Sequence, residues 1–193
     1  MNGAVAFAGL YQSGGSLASD KKNPNWVASN DEIDAALQML EKTSEKFGIG
    51  ITVVGSMAVA KNGYAREMAD IDIVVNDRGK FISAMQEYGY ANINYNYIVV
   101  ENGLIIDIVP MEVEIPEGFN YQSLNDIVLH KLKSSKPKDR SDIIRMIKEA
   151  TPQQLAQMSG FPEPEMKIFE YLLEEAQLDS IRINGKKIWR IDS

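Results

Sequence analysis

Cysteine is absent from these 193 residues, and histidine occurs once, at His130. A chain without thiols has no disulfide framework, no thiolate zinc site and no cysteine nucleophile. One imidazole likewise excludes a histidine-rich metal centre. Basic residues are outnumbered, 20 Lys and Arg against 27 Asp and Glu, for a formal charge of -7. That balance argues against wrapping nucleic acid with a broad basic surface and leaves room only for a local basic groove. Long apolar runs are also missing. The stretch Ala4 to Leu10 is far shorter than a membrane span, and no basic residue precedes it as a secretion signal requires. The sequence therefore predicts a cytoplasmic protein without a membrane partner. Several nucleotide and metal motifs are missing as well. No Gly-Lys-Ser/Thr marks a Walker A loop, and no Gly-x-Gly-x-x-Gly follows a strand. DIDIVVND lacks the glycine and the terminal glutamate of a calcium-binding EF-hand loop.

What is present is an ordinary globular composition, 45% hydrophobic and 24% charged, long enough for one sizeable core and a small appendage. The chain is organised around Ile51 to Val75, ITVVGSMAVAKNGYAREMADIDIVV. ITVV reads as a short buried strand, Met57 to Ala60 as a tight helical turn closed by Asn62-Gly63, and Asp70 to Val75 as a second strand. Side chains alternate along a strand, so Asp70 and Asp72 share one face while Ile71 and Ile73 take the other. Carboxylates about 7 Å apart repel one another, and a cation or a donor is needed to neutralise them. Hard divalent ions such as Mg²⁺ take a few carboxylates together with substrate phosphates. Gly55-Ser56 at a helix start offers the complement: backbone N–H groups and a hydroxyl able to hold phosphate.

Gly55-Ser56, thirteen residues, then Asp70-Ile71-Asp72 among hydrophobics resembles the signature of the DNA polymerase β-type nucleotidyltransferase superfamily. Within it, the stretch is most similar to a small bacterial branch that includes AbiEii-like toxin nucleotidyltransferases. That branch commonly shows an Arg, a Thr two residues later, then the Asp pair; here Arg66 is in place and Met68 stands where the Thr would be. Further on, Asn92 to Val100 and Leu104 to Pro110 read as a hairpin turned at Glu101-Asn102-Gly103. Its outgoing strand, LIIDIVP, holds Asp107 in an apolar run, which is costly without a partner. In the superfamily a third carboxylate sits on a strand beside the Asp pair, and Asp107 matches by type, context and chain order. The resemblance implies two Mg²⁺ ions about 3.5–4 Å apart, with Mn²⁺ as a substitute, both held by Asp70 and Asp72. Asp107 would hold the catalytic ion alone and help deprotonate the attacking hydroxyl. The alternative is that Asp107 is an edge-strand residue facing water.

The rest of the chain frames this unit. Residues 1–29, rich in Gly, Ser, Ala and Asn, read as a flexible arm with Trp26 pinning its end. Asn30 to Phe47 is helical, with Asn30 as N-cap, Ile33, Ala36, Leu37, Leu40 and Phe47 on one face, and Gly48 as the stop. Asn76 or Asp77 caps a helix through Tyr88. Leu124 to Ile147 divides into two helices at Ser134-Ser135-Lys136-Pro137. Lys131 followed by Lys138-Asp139-Arg140-Ser141-Asp142-Ile143 matches an arrangement found in many AbiEii-like relatives. Lys131 and Arg66 are the candidates for a triphosphate, with a solvated helix surface as the alternative for Lys131, and Asp139 and Asp142 read as capping and ion-pair residues. Thr151-Pro152 starts a short helix, Glu165 to Gln177 forms another packing Ile168, Phe169, Leu172 and Leu173, and Asn184-Gly185 turns a final hairpin from Ile181 to Ile191.

The expected fold is mixed α/β: a short mixed sheet backed by helices in a 30–150 nucleotidyltransferase core, then a 151–193 helical extension ending in a hairpin. The expected reaction moves a nucleoside monophosphate from a Mg-bound nucleoside triphosphate to an acceptor hydroxyl on a protein, tRNA or small molecule. Asp70, Asp72 and Asp107 would be the metal and catalytic residues, and Gly55, Ser56, Arg66 and Lys131 the nucleotide-binding ones. The branch resembled includes toxin–antitoxin and phage-defence proteins, so an antitoxin is an expected class of partner. Two other readings stay open: a catalytically silent binding or regulatory module on the same fold, and an antibiotic nucleotidyltransferase.

Overall fold

A computed structural model describes residues 29–64, 70–90, 96–100, 104–110, 115–176, 179–183 and 186–190, the last two runs and Val99 as backbone only. Of the expected arm over 1–29, all but Ser29, which caps the first helix, lies outside the described residues, as do both hairpin turns. The described chain divides into two compact units, one holding 29–57 and 70–121, the other 58–64 and 122–190.

The first unit is a five-stranded mixed sheet with two helices on one face. Helix α1 (Asn30–Phe47) begins one residue earlier than its sequence suggests, because Ser29 rather than Asn30 is the N-cap. Ser29 Oγ accepts from the Glu32 amide at 3.3 Å, and Glu32 Oε2 accepts from the Ser29 amide at 2.7 Å, closing a capping box. Gly48 ends the helix in the left-handed conformation at φ 57°. Strands β1 (Ile51–Val53), β2 (Asp70–Val75), β3 (Tyr97–Val99), β4 (Ile105–Ile108) and β5 (Phe119–Tyr121) lie in the order β3-β4-β2-β1-β5. The β1–β2 and β3–β4 pairs are antiparallel, and the β2–β4 and β1–β5 pairs parallel. Helix α3 (Arg78–Glu87) follows β2; Asp77 caps it, accepting from the Lys80 amide. Asn76 does a different job, its Oδ1 accepting from the Gly50 amide at 2.9 Å and so tying the end of β2 to the start of β1.

Alternation decides which side chains enter this core. Ile51, Val53, Ile71, Ile73, Ile98, Ile106 and Ile108 all fall on one face, and all join a core with Ile33, Ala36 and Leu40 of α1 and Phe81 and Met85 of α3. Each such side chain contributes about 1.5–3 kcal/mol by leaving water, so this face sets the register of every strand. The opposite face is where Asp70, Asp72 and Asp107 stand.

The second unit is helical. It contains α4 (Leu124–Lys133), α5 (Pro137–Glu149), α6 (Pro152–Gln157), α7 (Glu163–Glu175) and the antiparallel hairpin β6 (Asp179–Ile183) with β7 (Lys186–Arg190). Pro137 stands in the first turn of α5, and Thr151 builds a capping box with Gln154 ahead of α6, where the missing proline N–H costs nothing. Leu124, Ile127, Val128 and Leu132 pack against Ile143, Met146 and Ile147 and against Phe169, Leu172 and Leu173. Ile168, expected in this core, is 46% exposed instead, since the buried stripe of α7 runs through Phe169, Leu172, Leu173 and Ala176 and leaves it to one side. Helix α2 (Gly55–Lys61) ends here with Gly63 at φ 94° and the Tyr64 amide bonded to the Val59 carbonyl. No helix among the described residues is long and apolar enough to cross a membrane. The mixed α/β fold, with its helical C-terminal section and terminal hairpin, is as expected.

Candidate active site

Strand β2 carries the two aspartates because its alternate residues, Ile71 and Ile73, are fully buried in the core. Burial of the isoleucines leaves Asp70 and Asp72 no choice of face, and both are half-buried. Strand β4 runs parallel beside β2, in a register that sets Asp72 against Asp107 and Asp70 against Ile105. Hydrogen-bonded strands lie about 4.8 Å apart, so Asp72 and Asp107 start from adjacent backbone positions and rise from the same face. The adjacent strand expected for the third carboxylate is therefore present, and β4 is an inner strand rather than an edge.

The third feature is the corner after β1. The Val54 amide donates to the Asp72 carbonyl at 2.9 Å, which pins the corner to the aspartate strand. Gly55 follows at φ 63°, a conformation that favours glycine. A methyl group at this position would run into the Asp72 carboxylate. Glycine is thus required twice, once by backbone geometry and once by the side chain lying over it. Ser56 is half-exposed in the first turn of α2.

The donor set is all oxygen, and two carboxylates at adjacent register positions over a glycine corner suit a hard divalent ion that completes its shell with phosphate and water. Among the described residues, no group of three or more His, Asp or Glu side chains is gathered to hold an ion by itself. Backbone register thus brings Asp72 and Asp107 together and keeps Asp70 on their face, without closing all three around one point. A cavity of about 440 Å³ opens beside α1, lined among others by Ala35, Met39, Tyr88, Tyr90 and Val100, and none of the three aspartates lines it. Concavity and chemistry are separate here, and the chemistry marks the site.

Arg66 and Met68 lie outside the described residues. Lys131 belongs to the second unit, where its ammonium donates to Asp139 Oδ1 at 3.0 Å and Asp142 Oδ2 at 2.8 Å. Asp139 Oδ2 also accepts from Ser134 Oγ at 2.6 Å. Burial pushes the Asp139 carboxyl up, but the hydrogen bonds from Ser134 and Lys131 and the charges of Lys131 and Lys136 outweigh it and hold it below the ordinary range. Asp139 and Asp142 form the ion pairs expected of them but not the expected cap, since the N-cap of α5 is Lys136, with no side-chain capping bond.

One residue of this face was not read from the sequence. Tyr97 of β3 pairs with Asp107 and rises from the same face. The signal was available: a hairpin centred on Asn102 pairs residues whose numbers average 102, and so sets Tyr97 opposite Asp107.

A strand–corner–strand unit with carboxylates on neighbouring parallel strands defines a nucleotidyltransferase-like class. The chain belongs to the family described as nucleotidyltransferase of unknown function (DUF6036), whose model matches residues 31–158. Among curated proteins, none matches.

Proposed function

We propose that this protein is a metal-dependent nucleotidyltransferase that moves a nucleoside monophosphate from a Mg-bound triphosphate to an acceptor hydroxyl. The observation that carries the reading is the register of Asp72 on Asp107, together with a glycine corner pressed against the Asp72 carboxylate. Asp70 and Asp72 would hold the ions jointly, and Asp107 the catalytic one. Held there, such cations would neutralise phosphate charge and lower the pKa of the acceptor hydroxyl.

The chain's own groups do the rest. Gly55 and Ser56 hold the outer phosphates through backbone N–H groups and the hydroxyl, with Arg66 adding charge. Asp107 accepts the proton as the acceptor oxygen bonds to the α-phosphorus. The bond from that phosphorus to the pyrophosphate oxygen breaks, and pyrophosphate leaves. For Lys131 to meet the triphosphate, its ammonium must use its third N–H or give up Asp139 or Asp142, and its assignment carries that condition. The further proposal is an AbiEii-like, cytoplasmic enzyme of a toxin–antitoxin or phage-defence system, acting on a protein, tRNA or small molecule and countered by an antitoxin.

A second reading, a silent binding module on the same fold, is favoured by the lack of three gathered ligands among the described residues and by Met68. One experiment separates the two. Each α-labelled triphosphate is incubated with the protein, Mg²⁺ and a cell extract, beside the Asp72→Asn variant. Label on an acceptor with wild type and none with the variant is expected. Equal labelling by both would refute the enzyme reading, and calorimetry showing no metal-dependent triphosphate binding would favour the silent module.

A further inference from the structure

The hydrogen bonds of the β3–β4 pair say more about Tyr97 than its position does. The Ile108 amide donates to the Asn96 carbonyl, and the Val100 amide to the Leu104 carbonyl. These two rungs make 96/108 and 100/104 hydrogen-bonded pairs. Pairs alternate along an antiparallel ladder, so Tyr97 and Asp107 form a non-hydrogen-bonded pair. In such pairs the side chains approach most closely, with backbones about 4.5 Å apart.

Tyr97, Asp107 and Asp72 are then consecutive members of one cross-strand row on one face, and the row ends at the Val54–Gly55 corner. Strand β3 is the edge of the sheet, so Tyr97 is the outermost member. Its ring is half-buried. The row has a direction. If the corner holds the departing phosphates, an in-line displacement brings the nucleophile from the other end, beyond Asp107. The side chain standing at that end is Tyr97.

We infer that Tyr97 is the acceptor-side positioning residue of this site, its phenol holding the incoming hydroxyl compound beside Asp107. An aromatic ring with a polar tip supplies apolar contact and a hydrogen bond to a neutral, hydroxyl-bearing acceptor. It also adds no negative charge to a face that already carries three carboxylates. The inference rests on the nucleotidyltransferase reading and assigns a residue to its acceptor half.

The test compares wild type with Tyr97→Ala, Tyr97→Phe and Asp72→Asn. Tyr97→Val serves as a β-compatible replacement should the alanine variant melt early. Two quantities are read: affinity for Mg-triphosphate by calorimetry, and label passed from α-labelled triphosphate to molecules of a cell extract. Tyr97→Ala, or its valine replacement, is expected to bind nucleotide within about twofold of wild type and to transfer at least about tenfold less label, the loss of one positioning contact. Transfer by Tyr97→Phe then tells whether the ring or the hydroxyl does the holding. Undiminished transfer by the alanine or valine variant overturns the inference, as does a parallel loss of nucleotide binding and transfer. Either result leaves the enzyme reading standing so long as Asp72→Asn is inactive. Wild type that binds no triphosphate in a metal-dependent way sinks both.

Discussion

Two pairs of aspartates, one in each unit, are built in opposite ways. In the helical unit, Asp139 and Asp142 lie three residues apart on α5 and share the ammonium of Lys131 from α4, at 3.0 and 2.8 Å. The side chains found their own counter-charge, and the result ties two helices together. In the sheet, Asp72 and Asp107 come from different strands and are set side by side by backbone register, which the buried isoleucines beneath them enforce. Side-chain preference did not choose that arrangement, since two carboxylates repel. The first pair is a fastening. The second is placed by the backbone, which sets two acidic residues at facing register positions whatever their charges prefer.

The sharpest way to break the contrast is at the sheet. Asp72→Asn should lower transfer about a thousandfold, comparable with losing a principal electrostatic contact in an active site. Its melting temperature should stay near wild type, because no core side chain is touched. Gly55→Ala should come next. The left-handed backbone costs about 1–2 kcal/mol for a residue with a Cβ, and the methyl must also displace the Asp72 carboxylate. Metal-dependent triphosphate binding, read by calorimetry, should fall at least about tenfold.

At the fastening, Lys131→Met should cost about 2 kcal/mol in urea denaturation at pH 7. Breaking a buried pair costs about 3–5 kcal/mol, and these groups keep 11–19% exposure. Asp139 titrates below its ordinary 3.8 in the folded protein, so its stabilising share is full above that value and is lost as pH falls below it. The gap between wild type and variant should therefore narrow in acid, and a gap unchanged at pH 3 would separate Asp139 from the effect. The smallest change is at Tyr64, whose hydroxyl is buried with no hydrogen-bond partner among the described residues. Tyr64→Phe removes that cost and should gain about 1 kcal/mol. Burial, then the Glu149 charge, raises the Tyr64 phenol from 10.0 to about 12. Its contribution is therefore complete below pH 10 and is lost as pH rises through about 12. Wild type should lose stability over that alkaline window, and the phenylalanine variant should not lose this component.

The local elements were legible because their signals are local. Helix α1 shows its stripe and its stop at Gly48, α6 its Thr-Pro start, and β2 its alternation around Asp70 and Asp72. Asp107 was legible for the same reason, as a charge inside an apolar strand whose partner had to be close. Strand β5 was not. Phe119–Tyr121 has three residues and no clear alternation, and it is a strand because β1 offers it a parallel partner. Asn30 has the composition of an N-cap, whereas the reciprocal bonds with Glu32 put the cap at Ser29.

Residue types, periods and caps, all properties of neighbours in the chain, determined most of the helices and strands and the shared face of Asp70 and Asp72. Hairpin symmetry about Asn102 already pairs Tyr97 with Asp107, but the meeting of more distant residues was decided by tertiary structure. Register across β4 set Asp72 beside Asp107 and Tyr97 beyond it, the corner at Gly55 closed on the Asp72 carboxylate, and Lys131 took Asp139 and Asp142 as its partners. The physical reason is one of range. Backbone preference acts over a few residues, whereas charge and hydrogen bonding act between any groups that core packing brings within a few ångströms.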